Sequence, residues 1–75
     1  MNLSNVKINA NCVVKKINIK NEENKIRLME LGLTNNCEVK VVKKSLFKQT
    51  LLVVFASSCF TLKENVAKGI EVEYA

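Results

Sequence analysis

The chain has 75 residues, which fits a single domain spanning residues 1–75. It has no His, and its seven acidic residues are all Glu in apparently solvated positions, so the usual acid–base residues of an active site are missing. Its two glycines are far apart, which excludes a Gly-rich phosphate loop. We therefore expect no enzymatic activity, no catalytic residue and no cofactor.

Net charge and hydropathy limit where the protein can be located and which partners it can bind. Twelve basic residues give a net charge of +5, which favours solubility or an anionic partner. The longest apolar run, residues 51–56, is far below the ~20 residues that a bilayer requires. No signal-peptide pattern is present at the start. These features predict a cytoplasmic protein without direct membrane insertion.

The first strand is predicted over residues 12–20 (CVVKKINIK). The residues before it carry few signals, and residues 3–6 fit either one helical turn or a lead-in loop. Lys15 falls out of register with the apolar positions around it. This irregular alternation predicts a long strand that is bent or bulged.

A helix is predicted over about residues 22–31. Asn21 precedes it as an N-cap, and two glutamates follow in the first turn, where the helix dipole favours carboxylates. Gly32 is expected in a left-handed conformation after the last turn. Leu33 is then expected to fold back onto the helix as a Schellman-type stop.

The rest of the chain reads as strands with one short helical turn near residues 64–68. In the second strand Val39 and Val41 share one face, as expected for a half-buried sheet. Five short strands leave edges exposed unless the sheet curls, so we predict a mainly β, partly open small barrel with one inserted helix. Exposed edges also allow weak homo-oligomerisation. The strands after the helix are predicted at residues 37–44, 50–55, 59–63 and 70–74.

Three widely spaced cysteines, Cys12, Cys37 and Cys59, argue against a disulfide framework, because their number is odd. They could form a three-thiolate metal site if the fold brought them together. The chain has no His and no closely spaced cysteine pair, which favours small apolar core residues instead. No metal site is therefore predicted.

The most informative binding feature is a predicted hairpin tip. Leu46 and Phe47 are large apolar residues that lie between Lys43, Lys44 and Lys48. Two interpretations remain open: the tip is a docking surface for a protein partner, or its apolar side chains fold back to cap an open end of the barrel. We predict all five residues as part of a partner-binding surface.

A basic barrel that binds nucleic acid is the alternative function. Such barrels stack bases on exposed aromatic side chains beside Lys and Arg. The chain has four aromatic residues, and Phe55 and Phe60 lie in apolar strands that are expected to form the core. The remaining platform is thin, so nucleic-acid binding is disfavoured.

The chain resembles the family of ferrous iron transport protein A (FeoA). The similarity rests on residues 27–33 (RLMELGL), which resemble the family's helix end, and on three further stretches. It implies a small cytoplasmic SH3-like barrel without enzymatic activity. It also implies a partner, because such proteins assist FeoB, the membrane GTPase that moves Fe²⁺ into bacterial cells, by contacting its cytoplasmic part. The three further stretches are Leu3-Ser4, residues 39–42 and residues 61–72.

The sequence departs from the family pattern at three turns. Where the family usually has Pro-Gly, this chain has Ile8-Asn9 and Asn35-Asn36, and Ser57 replaces a family Gly. Since Asn adopts left-handed conformations, we expect these turns to survive. A similar barrel also forms the C-terminal domain of metal-dependent repressors. The chain has no DNA-binding helical domain, which favours the FeoA interpretation over this one.

Overall fold

A computed structural model describes all 75 residues. The elements are a 3-10 helix (Leu3–Asn5), β1 (Asn11–Ile17), α1 (Glu22–Glu30), β2 (Glu38–Ser45), β3 (Thr50–Phe55), β4 (Ser58–Lys63), α2 (Glu64–Ala67) and β5 (Ile70–Tyr74). The five strands are antiparallel and form one open sheet in the order β4-β3-β2-β1-β5. The prediction of a mainly β fold with one inserted helix and a short helical turn is confirmed.

The bulge predicted in the first strand is present. Val14 pairs with Val72 and Lys16 with Glu71, so Lys15 has no partner on β5 and the side-chain alternation changes phase there. The strand ends at Ile17, three residues before its predicted end at residue 20. The last ladder bond runs from the N–H of Asn18 to the carbonyl of Gly69, just before β5, and pairing does not continue beyond it.

Local signals set both ends of α1. The Asn21 side chain accepts a hydrogen bond from the backbone N–H of Asn24 at 3.1 Å. At the other end, the N–H groups of Gly32 and Leu33 donate to the carbonyls of Met29 and Leu28 at 3.1 and 2.9 Å, which is the Schellman pattern. The predicted cap and stop are confirmed, and the helix ends one residue earlier than predicted.

Left-handed residues close the turns, as expected. Asn9 and Asn36 have φ values of 68° and 71°. Ala56 and Ser57 have φ values of 51° and 62°, so they form the two-residue type I′ turn that joins β3 to β4. A short polar or small side chain tolerates this conformation well enough to replace glycine at all four positions.

Sixteen buried residues, all apolar, form one core. Strands supply most of it. The 3-10 helix region contributes Leu3 and Val6, whereas α1 contributes only Leu28 and α2 only Ala67. Since a single buried residue holds α1 in place, most of the surface of this helix remains available to solvent.

Candidate functional site

The predicted hairpin tip connects β2 to β3 and projects from the sheet. The strands pair up to Ser45 and Thr50, so residues 46–49 form a four-residue loop. Leu46 is 90 % exposed and Phe47 is fully exposed. The interpretation that these side chains fold back to cap the barrel is therefore wrong.

The base of this loop is fixed to the rest of the fold. Gln49 is left-handed, with a φ of 51°, and its carbonyl accepts the N–H of Glu64 at 2.8 Å. The N–H of Lys48 lies 3.4 Å from the hydroxyl oxygen of Ser45. A loop with an anchored base presents its apolar tip at a defined place, and this reduces the entropy that a partner must remove on binding.

The three lysines near the tip do not have the same surroundings. The ammonium of Lys44 donates to the carbonyls of Ser4 and Val6, at 3.0 Å each, and so ties β2 to the N-terminal segment. Lys43 and Lys48 take part in neither of the two ion pairs of the structure. Their charges are free to meet an anionic partner beside the tip.

The three cysteines do not converge. Cys12 is buried, Cys37 half-buried and Cys59 exposed, and no group of three or more His, Cys, Asp or Glu side chains could hold a metal ion. The three-thiolate hypothesis is therefore wrong. Burial raises the pKa of the Cys12 thiol, so this side chain acts as a small core residue.

The strand aromatics face the interior, as predicted. Phe55 is buried, and its ring stacks on that of half-buried Phe60 with 4.4 Å between centroids. Their stacking faces are therefore largely occupied. Only Phe47 and, in part, Tyr74 remain exposed, and this gives the nucleic-acid alternative no continuous platform.

The structure contains a second candidate surface that was not predicted from the sequence. A groove of about 370 Å³ separates the C-terminal part of α1 from β4. Its two walls come from distant parts of the chain, residues 24–31 and residues 60–66, so no local pattern indicates it. Arg27, for which the sequence leaves open a binding role or a place on the solvated face of the helix, lies at this groove. Its principal lining residues are Arg27, Leu28, Leu31, Phe60, Leu62 and Lys63.

Both candidate sites present exposed or half-buried apolar side chains beside cationic ones. None of the helices has the length and the apolar character that are needed to cross a membrane.

Comparison with known proteins places the chain in a family. The FeoA domain model matches residues 1–74. The FeoA protein of Chlorobium tepidum superimposes with a TM-score of 0.90 at 27 % identity, covering 99 % of this chain and 70 % of that one. The zinc complex of Stenotrophomonas maltophilia FeoA, described as a prokaryotic SH3 domain protein, gives 0.81 at 30 % identity, covering 97 % and 89 %.

A manganese-dependent transcriptional repressor shares the fold alone, with a TM-score of 0.88 at 16 % identity over 100 % of this chain and 36 % of that one. A comparison with curated proteins finds no match. The family model covers nearly every residue, and the SH3-like architecture agrees with the sheet described above. The chain therefore belongs to the FeoA family.

Proposed function

We propose that this protein is a non-enzymatic cytoplasmic accessory protein of bacterial ferrous iron uptake, and that it docks on the cytoplasmic part of the FeoB membrane GTPase. Membership of the FeoA family supports the link to iron transport. The S. maltophilia relative has itself been proposed as an activating factor for ferrous iron transport.

The exposed pair at the hairpin tip carries the proposal of docking. Burial of a Leu or Phe side chain contributes about 1.5–3 kcal/mol, and part of that gain is offset by the cost of association. A large aromatic side chain at the centre of a small interface is the usual type of binding hot spot. Lys43 and Lys48 supply a positive rim that favours an acidic surface on the GTPase.

Titration calorimetry with the purified cytoplasmic part of the FeoB from the same organism tests the proposal. The double variant Leu46→Ser/Phe47→Ser should weaken binding by at least about tenfold, which corresponds to about 1.4 kcal/mol. Its fold should be unchanged, because substitutions at exposed positions rarely shift stability by more than about 0.5 kcal/mol.

A matched control removes the same number of exposed apolar side chains elsewhere. Ile26→Ser/Met29→Ser does this on α1, where these residues are 51 % and 44 % exposed. It should retain wild-type binding. Full binding by the tip variant would remove the tip from the interface, and the absence of binding by the wild-type protein would reject the proposed partner.

A further inference from the structure

One edge of the sheet has no partner. β4 pairs only with β3, from Phe55↔Ser58 to Thr50↔Lys63, and it is the last strand on its side of the sheet. The N–H of Glu64 donates to Gln49, across from the end of β3.

That bond fixes the phase of the edge. In an antiparallel ladder the backbone N–H and C=O groups of alternate residues point to the partner strand. In β4 the backbone groups of the even-numbered residues therefore point to β3. Cys59 and Thr61 therefore direct both N–H and C=O outward, and Lys63 directs its N–H outward. All three residues are exposed.

The opposite edge of the sheet, formed by β5, is covered by another part of the chain. β5 is covered on its outer side by the start of the chain, through a bridge between Asn2 and Glu71. The N–H of Val72 also donates to the carbonyl of Met1 at 2.9 Å. A covered edge cannot accept another strand. The free backbone groups of the sheet are thus concentrated on β4.

The apolar groove lies directly beside this free edge. Leu28 and Leu31 form one wall, and Phe60 and Leu62 of β4 form the other. An added strand would point alternate side chains into this groove, as required for β-strand addition with sequence preference. The space of about 370 Å³ lies within the range of about 300–1,000 Å³ that is typical of binding pockets, so it can receive side chains of an added strand.

The charge of the residues that line the groove indicates which kind of strand could be added to β4. The groove is lined by two cationic residues, Arg27 and Lys63, and by no acidic one. We propose that β4 binds an extended segment of a partner protein in which apolar residues alternate with carboxylates, as an additional strand of the sheet. This site is separate from the hairpin tip and does not depend on FeoB as the partner.

Amide NMR with a synthetic peptide tests this inference on the full chain. The probe is a blocked seven-residue peptide that alternates Glu with Val, and its control carries Lys in place of each Glu. The Glu peptide should shift the amide signals of Cys59, Thr61 and Lys63 and protect them from exchange. The Lys peptide should bind at least about tenfold more weakly, because its charges, which alternate with the Val residues that enter the groove, have the same sign as those of Arg27 and Lys63.

Two substitutions at one position separate the backbone contribution from the side chain. Thr61→Pro removes one outward N–H and leaves the ladder to β3 intact, as Pro is tolerated on the free side of an edge strand. It should weaken the Glu peptide roughly two- to tenfold, the value of one hydrogen bond. Thr61→Val keeps the N–H and should bind within about twofold of wild type.

A charge-reversed variant, Arg27→Glu/Lys63→Glu, tests the same edge without altering the backbone. It should reverse the preference and favour the Lys peptide. The hairpin variant Leu46→Ser/Phe47→Ser should bind the Glu peptide as wild type does, so failure of this inference and failure of FeoB docking are distinguishable. The inference is overturned if β4 amides do not respond, if both peptides bind equally, or if the same amides shift with protein concentration alone, since two copies would then occupy the edge.

Discussion

Gly32, which follows α1, has no room for a side chain. Its φ of +112° lies where L-residues are rarely found, and a Cβ built on it would lie 2.9 Å from the Cβ of Ala56. Ala56 belongs to the tight turn between β3 and β4 and is itself left-handed, at a φ of 51°. Neither atom can retreat without moving backbone. Gly32→Ala should therefore destabilise the fold through both backbone strain and crowding.

The magnitude follows from these two causes. A left-handed backbone costs an L-residue roughly 1–2 kcal/mol, and crowding of a packed contact costs about 1–3 kcal/mol. We expect a loss of roughly 2–5 kcal/mol for Gly32→Ala. A domain of this length has a total stability of roughly 4–11 kcal/mol, at about 0.05–0.15 kcal/mol per residue. The substitution should thus remove a large share of the stability of the whole domain.

Equilibrium urea unfolding followed by far-ultraviolet circular dichroism measures this loss. Ala56→Gly supplies the control, because it removes the atom that the new Cβ would meet. In that background Gly32→Ala should cost about 1–3 kcal/mol less, which is the crowding part. A loss below about 0.5 kcal/mol in the wild-type background would refute the reasoning. An equal loss in both backgrounds would refute crowding and leave only strain.

Three further predictions concern other parts of the fold. Asn21→Ala removes the cap of α1 and should cost about 1 kcal/mol in urea unfolding, with faster amide exchange in α1 than elsewhere; unchanged exchange in α1 would contradict the cap's role. Lys44→Met leaves two carbonyls of the N-terminal segment without their donor and should cost about 1–2 kcal/mol, whereas the matched variant Lys43→Met should stay within about 0.5 kcal/mol. Burial raises the pKa of Cys12 above its ordinary value of 9.0, so the folded state holds the thiol proton more tightly than the unfolded chain. The stabilisation that the protonated Cys12 thiol gives the folded state is complete below about pH 9 and is lost as the pH rises through the pKa of this thiol in the folded state. Above about pH 9 the free energy of unfolding of the wild type should therefore fall more steeply with pH than that of Cys12→Ala. Equal slopes for the two proteins would show that burial does not raise the pKa of Cys12.

Features that depend on neighbours in the sequence were predictable. The cap at Asn21 and the stop at Gly32 involve partners within five residues. The left-handed conformations at Asn9 and Asn36 follow from the residue type. Even the bulge at Lys15 was visible, because it breaks an alternation that a regular strand must keep.

Features that depend on distant contacts were not predictable. The exposure of Phe47 could not be distinguished from a folded-back cap, since the choice depends on where the sheet places the loop. The role of Lys44 depends on carbonyls that lie 38 and 40 residues away in sequence. The groove beside β4 exists only because α1 packs near a strand that follows it by some thirty residues.

The two candidate surfaces are neighbours, and this arrangement has a consequence for binding. A small cleft lined by Lys48, Gln49, Lys63 and Glu64 lies at the base of the hairpin tip, and Lys63 also lines the groove beside β4. A partner that carries both an acidic docking face and an extended acidic segment would meet the second site at a high effective concentration once the first is occupied. Two individually weak contacts would then give firm attachment, which suits a domain with a small core and no enclosed binding pocket. Lys48 and Lys63 lie between the two surfaces and would favour both contacts, because neither lysine takes part in an ion pair.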